Sequence, residues 1–451
     1  MKIRLIRVIR VQIAMKETLQ QPDPLRTALS KAAWRLAPFL SLLYLLNIMD
    51  RSNLGFARLK MQADLKINDS IYEWGYGIFY FGYLVFEVPA NLLLRRIGAR
   101  RWMARIMITW GFVSCATAAV TGPYSFYAVR ILLGVAEAGF FPGIILYLTY
   151  WFPARERAKI LALFMTGIAV SGAISNPISG AIMQYMNGRF GIAGWQWLFL
   201  FEGLPSVMVG IVTLFYLVDS PARARWLNPA ERQALLDVLA REEQQRHEKH
   251  GSGLLKASLN PRVWLLILIY FTVAIGANAS GAHFPQIINL QFAHWAKARY
   301  PDNEIFVIGL LAALPHVCSI VAMTLLSRLS DATGARRQAV AICAFLAATG
   351  WGLSAIDDSP WLSLAGLCLA QAGMISMLPT FWVLPTSFLS GAAAAGGIAL
   401  INSVANLGGL IGPRTLGVFG SPSMVAIMTV GGVLALCVRH DPALDQRHSG
   451  K

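Results

Sequence analysis

The feature that most constrains this chain is a train of long apolar stretches separated by short polar ones. A helix rises 1.5 Å per residue, so a stretch of about 20 residues crosses a hydrocarbon core of ~30 Å. Hydrophobic residues make up 56% of the chain and charged residues 14%. We therefore predict an all-α membrane protein with twelve transmembrane helices. The predicted spans are 36–56, 74–94, 103–121, 124–150, 159–186, 196–218, 263–290, 305–327, 338–356, 361–385, 391–413 and 423–438.

The basic charge of the chain is distributed by side of the membrane. The formal net charge is +16, which by itself would fit a nucleic-acid-binding protein. Most of the 39 Lys and Arg residues, however, lie in the N-terminal segment and in every second loop after it. This asymmetry is the positive-inside rule and places both termini in the cytoplasm. We predict contact with the lipid bilayer and no nucleic-acid partner.

A hydrophilic stretch divides the twelve spans into six and six. Within it, Asn228 as cap, Pro229 at the first helical position and Glu231 three residues after the cap predict the start of a surface helix. We interpret Met15 as a normal start, with a polybasic membrane contact of the preceding residues as the alternative. The predicted organisation is a cytoplasmic segment 1–35, a six-helix bundle 36–218, a linker 219–262, a second bundle 263–438 and a cytoplasmic tail 439–451.

The two halves carry related turns. The loop after the second span reads "RRIGARRW" and the loop after the eighth reads "DATGARRQ". A shared turn at the same place in each half indicates a repeat of six-helix units, as some secondary transporters have. Further motifs occur in order along the chain: "MDRSNLG", "FEVPANLLLRRIGARR", "RILLGVAEAGFFPG", "WFPARERA", "GWQWLFLFEGLP", "GLLAALPHVCSIVAMTLLSRLSDATGARR" and "GIALINSVANLGGLIGP".

With these motifs the chain resembles the major facilitator superfamily, and within it the anion:cation symporters, which include bacterial sugar-acid, tartrate, phthalate and hydroxyphenylacetate permeases. The resemblance implies a multi-pass protein of the bacterial inner membrane with its substrate site between the bundles. The chain departs from the superfamily pattern at Asn91 and Arg95, where Gly and Asp are usual. The region "GPRTLGVFGSPSM" between the last two helices looks shortened.

Four ionisable residues fall inside the first and fourth predicted spans. Asp50 and Arg51 lie in the first span, and Arg130 and Glu137 lie seven residues apart on one face of the fourth. Two structural ion pairs would stabilise little, because desolvation consumes most of the attraction. We therefore interpret these residues as functional. The resemblance implies that Asp50 and Glu137 couple transport to protons. It also implies that Arg51 and Arg130 are their partners, one of them binding the substrate carboxylate through the bidentate guanidinium.

The remaining site residues come mainly from the resemblance. Tyr83, Trp382 and Asn402 match substrate-contacting positions of sugar-acid permeases, and Asn406 lies one turn from Asn402. Packing is the alternative for Trp382, and interhelical hydrogen bonding is the alternative for the two asparagines. His283, where relatives usually have Trp, is either a substrate contact or a hydrogen-bonded residue at the membrane boundary. The predicted gating or structural residues are Glu87, Arg100, Arg101, Asp331, Arg336 and Arg337.

Two departures bear on the substrate. Ile168 replaces the glutamine of the sugar-acid permeases, and His283 could serve a second carboxylate or a ring. Both favour aromatic or dicarboxylic acids over sugar acids. We predict a monomeric secondary transporter that imports a small organic carboxylate anion with protons by alternating access. The alternatives are a proton-driven exporter, an anion exchanger or a non-transporting membrane sensor. The sequence holds no nucleophile, metal or cofactor constellation, so we predict neither an enzyme nor a bound cofactor.

Overall fold

The computed structural model describes residues 23–247, 260–356, 358–388 and 391–438. Within these ranges the chain forms thirteen α-helices and no strand. The predictions for Met15, for the rest of residues 1–22 and for the tail 439–451 lie outside the described residues. The helices are α1 Pro24–Leu65, α2 Asp69–Ile97, α3 Ala99–Ala116, α4 Pro123–Glu137, α5 Phe140–Trp151, α6 Ala154–Tyr185, α7 Gly194–Tyr216, α8 Pro229–His247, α9 Pro261–Arg299, α10 Glu304–Thr333, α11 Arg336–Ser354, α12 Pro360–Phe388 and α13 Gly391–Cys437.

The helix α1 is longer than the predicted first span. It starts at Pro24, whose fixed φ suits the first helical position, and the Asp23 side chain accepts a hydrogen bond of 3.0 Å from the Leu25 amide. It ends where Lys66 adopts a left-handed conformation at φ 53°. Seven helices in the described part of the chain are long and apolar enough to cross a membrane, and α1 is one of them.

The predicted fourth span is two helices. The helix α4 ends at Glu137, and α5 starts at Phe140 after Gly139, which has φ 81°. Glycine adopts this left-handed conformation without the steric penalty that a Cβ atom brings. The predicted span 124–150 is confirmed as a membrane-crossing segment, Pro123–Trp151, with a break inside it that follows directly after a predicted proton-coupling residue.

The predicted last two spans form one element with a reversal inside it. Within α13, Gly420 has φ 67° and ψ −172°, which no α-helix contains. Before this residue, Gly412 packs against the backbone of Ile275, and after it Met428 packs against Gly276. Residues eight positions before and eight after Gly420 thus lie at one level of α9, so the chain turns back on itself. The seemingly shortened region is helical on both sides of a one-residue turn.

The two related turns of the halves are confirmed as glycine turns. Gly98 between α2 and α3 has φ 94°, and Gly334 between α10 and α11 has φ 67°. Charged residues anchor both turns. Asp219 accepts a 2.9 Å hydrogen bond from the backbone amide of Arg100, and Asp331 forms an ion pair with Arg336. Nearby, Arg101 is exposed, and Arg337 Nη1 donates to the Val438 carbonyl at 3.4 Å.

The linker helix α8 begins as the sequence predicts. The Asn228 side chain accepts from the Glu231 amide at 2.7 Å, and Glu231 Oε2 accepts from the Asn228 amide at 3.0 Å. Lys31 on α1 forms an ion pair of 2.7 Å with Glu231, and Glu242 accepts from the Ala154 amide that opens α6. The helix therefore lies against one end of α1 and α6, and we name this end of the molecule the linker face and the opposite end the far face.

Helices α1–α7, the first bundle, pack against α9–α13, the second bundle, chiefly through α6 against α10 and α2 against α13. The two helices of the first pair run antiparallel. Gly180 on α6 meets the backbone of Ile305 and Gly309 near the far face. One turn earlier in α6, and so farther from the far face, Asn176 Nδ2 donates to the Ala312 carbonyl at 3.2 Å. The absence of side chains at the glycines lets the two backbones approach closely, as helix pairs in membranes commonly do.

Candidate functional site

A buried ion pair joins α1 to α4 in the interior of the first bundle. Arg51 Nε donates to Glu137 Oε2 at 2.9 Å, and Asn47, one turn earlier on α1, donates to the same oxygen at 2.7 Å. The Glu137 side chain is fully buried, whereas the Arg51 side chain keeps 25% of its surface exposed. The pair therefore presents its cation, and not its anion, to the space beside the helices.

Aromatic rings line the cation. The guanidinium carbon of Arg51 lies 5.1 Å from the ring centroids of both Phe79 and Tyr83 on α2. Rings at this distance attract a cation through their negative faces. The structure thus brings Tyr83 and Arg51, predicted to bind substrate, together with Glu137, predicted to couple transport to protons, and these roles remain predictions. Glu87, one turn beyond Tyr83 on α2, is also buried.

Asp50 points away from this pair toward α3. Its Oδ1 accepts a hydrogen bond from the hydroxyl of Ser114, and its side chain is buried. The second oxygen of each acid, Asp50 Oδ2 and Glu137 Oε1, is buried and has no hydrogen-bond partner among the described residues. A buried carboxylate that is half satisfied is costly, whereas a free carboxyl oxygen can accept a proton.

Arg130 has other partners than the sequence suggests. Its Nε donates to the Gly75 carbonyl at 3.1 Å and its Nη2 to the Tyr76 carbonyl at 3.5 Å. These carbonyls belong to α2, so the guanidinium joins α4 to α2 and makes no ion pair within 4 Å to a described carboxylate. Arg130 thus forms no direct ion pair with Asp50 or Glu137, and its role as their electrostatic partner remains a prediction.

The predicted residues of the second bundle are not all at one place. Trp382 packs edge-on against Tyr270, with 5.0 Å between ring centroids, inside an aromatic group of that bundle. Asn402 and Asn406 are half-buried on α13, and neither side chain forms a hydrogen bond within the described part of the chain. Their roles in substrate binding remain predictions.

His283 lies near the far face, away from the buried ion pair. One ring nitrogen lies 3.0 Å from Arg58 Nη1 and the other 3.0 Å from the Pro413 carbonyl. Arg58 also forms an ion pair of 2.7 Å with Asp69, whose pKa lies below its usual range because Gln62 and Arg58 donate to the carboxylate. The protein thus occupies both nitrogens of His283, as the alternative of a hydrogen-bonded boundary residue requires.

Further polar contacts join the bundles at the far face. Arg414 on α13 forms an ion pair of 2.9 Å with the buried Glu73 on α2. Tyr185 donates to Asn303 at 2.6 Å, and nearer the middle of the bundles, beside the Phe79 ring, Tyr80 donates its hydroxyl to Asn278. Glycines also let α1 and α9 of the two bundles pack closely, because Gly55 of α1 lies against the backbone of Gly281 of α9. The bundles are therefore closed against each other at the far face.

Two buried groups escaped the sequence analysis as site residues, namely Asn47 and Ser114, which donate to the two acids. Glu202 on α7, which the sequence leaves open as a gating or structural residue, accepts from Ser179 at 3.2 Å, and its Oε2 has no described partner. Asn47 carried a signal, since it precedes Arg51 by one turn on the same face. Ser114 carried none, because a serine in an apolar helix commonly bonds its own backbone.

Comparison with known proteins places the chain among transporters. The sequence profile of the Major Facilitator Superfamily matches residues 40–413. A protein of Agrobacterium vitis named "Putative tartrate transporter" is 45% identical over 389 residues, which cover 86% of this chain and 84% of that protein. The "Quinolone resistance transporter" of Acinetobacter baumannii is 38% identical and covers 88% of each chain.

Solved structures with the same fold share little sequence with the chain. The xylose transporter XylE of E. coli in an inward open conformation superposes with a TM-score of 0.69 at 14% identity, covering 89% of this chain and 95% of that one. A bacterial homologue of the human lysosomal transporter Spinster gives a TM-score of 0.66 at 14% identity, with coverage of 93% and 100%. At these identities the likeness concerns the fold alone.

Proposed function

Since this chain belongs to the major facilitator superfamily and has its twelve-helix transporter fold, we propose that it imports a small carboxylate anion together with protons. The single observation that carries the proposal is the Arg51–Glu137 pair. Its cation is partly exposed and lined by rings, and its anion is fully buried. An exposed guanidinium can bind a carboxylate through two parallel hydrogen bonds. Binding of an anion there would compete with Glu137 for the same positive charge.

This competition provides a coupling mechanism. When a substrate carboxylate takes over part of the Arg51 charge, Glu137 loses its counter-charge inside the membrane. A proton on its unpaired oxygen then removes the cost of the uncompensated anion. Loss of the proton restores the ion pair and expels the substrate. Asp50 directly precedes Arg51 in the sequence and accepts a hydrogen bond from Ser114. It supplies a second proton site.

The energetics of anion uptake favour a transporter with two proton-carrying acids. Moving one negative charge into a cell costs ~2.3 kcal/mol per 100 mV of membrane potential. Two protons carried on Asp50 and Glu137 would neutralise the two charges of a dicarboxylate, so the membrane potential would not oppose its entry. A third positive charge would be needed for the potential to drive entry. We take a short dicarboxylate of the tartrate class as the substrate, because the A. vitis relatives bear that name.

The orientation completes the proposal. The excess of Lys and Arg around the linker face supports a cytoplasmic position of that face at a bacterial inner membrane. Closure at the far face, through Glu73–Arg414 and Tyr185–Asn303 among other contacts, would then correspond to the inward-facing state of an alternating-access cycle.

The test uses the purified protein in lipid vesicles with an imposed pH gradient. We expect labelled L-tartrate to accumulate when the outside is acidic and a protonophore to abolish the accumulation. Uptake that needs only an internal anion, whatever the gradient, would indicate an exchanger instead. Extrusion of preloaded substrate driven by an acidic exterior would indicate a proton-driven exporter instead, for which the name of the A. baumannii relative provides a reason.

A further inference from the structure

A histidine and a glutamine of the second bundle face the first bundle without full partners. His316 lies on α10 and Gln371 on α12, and Gln371 Nε2 lies 3.4 Å from His316 Nδ1. Gln371 is only 4% exposed, and its buried Oε1 has no hydrogen-bond partner among the described residues. A buried amide oxygen without a partner is unfavourable, so a ligand that donates to it would be stabilised there.

The direction of this hydrogen bond fixes the protonation of the ring. An amide nitrogen can donate but cannot accept, so His316 Nδ1 is the acceptor. A neutral imidazole then carries its proton on Nε2. In the part of the chain that the structure describes, this second nitrogen makes no hydrogen bond. The pair therefore offers one donor, His316 Nε2–H, and one acceptor, Gln371 Oε1.

The position of the pair follows from its neighbours on α6. The His316 ring lies against Gly172, where an added Cβ atom would collide with it. Ser171 and Ser175, on either side of Gly172, contact the Leu45 carbonyl at 3.4 Å and the Ser52 hydroxyl at 3.2 Å. Those two α1 residues bracket Arg51 in the sequence. His316 therefore lies at about the same depth as the Arg51–Glu137 pair, on the opposite bundle.

We propose that His316 and Gln371 form a second substrate contact that recognises the hydroxyl groups of the anion whose carboxylate binds Arg51. A hydroxyl is both donor and acceptor, so one hydroxyl of the anion can accept from His316 Nε2–H while another donates to Gln371 Oε1. A carboxylate cannot do this, because it would only accept and would face the amide oxygen. The inference rests on the proposed function and narrows its substrate class to hydroxy acids.

The two groups would also make the transporter selective. A site whose buried polar groups need a hydroxyl discriminates against an analogue that lacks it, since binding would leave those groups unpaired. L-Tartrate and succinate form a suitable pair of probes, because both are four-carbon dicarboxylates and differ only in two hydroxyl groups. We expect the wild-type protein to bind tartrate more tightly than succinate.

The test measures ligand binding to the purified protein by calorimetry. In Gln371→Met, which keeps the length of the side chain, we expect the Kd for tartrate to rise about tenfold and the Kd for succinate to change less than about twofold. His316→Gln keeps a donor near the place of Nε2 and should retain part of the preference. The matched control is Gln291→Met on α9, which also removes a buried amide oxygen without a described partner but should leave both Kd values unchanged.

Equal weakening of tartrate and succinate binding in Gln371→Met would show a structural role for Gln371 and overturn the hydroxyl contact, while the proposed carboxylate transport would stand. Unchanged tartrate binding in this variant would also overturn the hydroxyl contact. If the wild-type protein binds neither dicarboxylate nor competing monocarboxylates such as lactate and glycerate, the proposed function fails, and the inference fails with it.

Discussion

Arg414 of the second bundle donates from Nη1 to Oε2 of Glu73 in the first bundle at 2.9 Å, and the Glu73 side chain is 2% exposed. A charge-assisted hydrogen bond of this kind joins two rigid bundles at the far face. In an alternating-access cycle it must break each time the far face opens. We therefore expect the pair to contribute to the equilibrium between the inward-facing and outward-facing states of the proposed cycle.

The first prediction concerns this pair. Glu73→Gln keeps the shape but removes the charge, so the closed far face should lose about 1.5 kcal/mol or more, roughly a tenfold shift toward the open state. The measurement is the distance between spin labels at Ala63 and Ala298, exposed positions of α1 and α9 near the far face. The five free cysteines are first replaced, so that only the labelled positions react.

Asp302→Asn provides the control for the first prediction. It also removes a carboxylate near the far face, but the Asp302 side chain is exposed and only its backbone carbonyl binds the other bundle, through Gln184 at 3.0 Å. Its distance distribution should match the wild type. If Glu73→Gln also leaves the distribution unchanged, the ion pair has no part in closing the far face.

The second prediction concerns coupling. Glu137→Gln keeps an oxygen that can accept from Asn47 and Arg51 but permanently mimics one protonation state. We expect substrate exchange between loaded vesicles to continue, while accumulation driven by a pH gradient falls at least tenfold. Exchange and gradient-driven uptake are measured on the same preparation, so the first serves as control for folding. Full proton-driven accumulation would remove Glu137 from the coupling mechanism.

The third prediction concerns Arg130. Its Nε and Nη2 reach two successive carbonyls of α2, and a lysine ammonium on a single flexible stem lacks this geometry. Arg130→Lys should therefore transport nearly as poorly as Arg130→Ala, and both should lower the melting temperature. The measurement is the initial uptake rate of the wild type and the two variants at matched expression. Near-normal uptake by the lysine variant would mean that positive charge suffices at this position.

The fourth prediction concerns pH and the linker helix. The hydrogen bond from Lys31 holds the pKa of Glu231 below its usual value of 4.5. A lowered folded-state pKa means that the ion pair stabilises the docked helix above the unfolded pKa. This contribution is lost as the pH falls through the folded pKa. Glu231→Gln should thus speed hydrogen exchange in α8 several-fold at pH 7, and its difference from the wild type should shrink as the pH is lowered.

Asp237→Asn is the control for the pH prediction, because Asp237 lies on the same helix and its described hydrogen bond is to Gln233 within α8. Asp237→Asn should exchange like the wild type over the whole pH range. A difference between Glu231→Gln and the wild type that does not shrink on acidification would show that the ion pair is not its cause.

The sequence by itself determined the membrane class, most helix locations and the family. These follow from local properties: the length of each apolar run, the positions of Lys and Arg, and the cap at Asn228 with Glu231. The turns at Gly98 and Gly334 were also readable, because the same short motif recurs and glycine suits a positive φ. The ionisable residues inside the spans were visible because charge in an apolar run is rare.

Only the tertiary structure decided which of these charges meet. Helical spacing places Arg130 and Glu137 on one face of the predicted span. In the structure, however, Arg130 donates to carbonyls of α2, and Arg51 forms the ion pair with Glu137. The contact between His316 and Gln371 likewise depends on how α10 and α12 pack. A helical sequence fixes the face on which a side chain lies, but its partner depends on the rotation and depth of neighbouring helices. These are set by close packing at residues such as Gly172 and Gly309, which sequence periodicity does not encode.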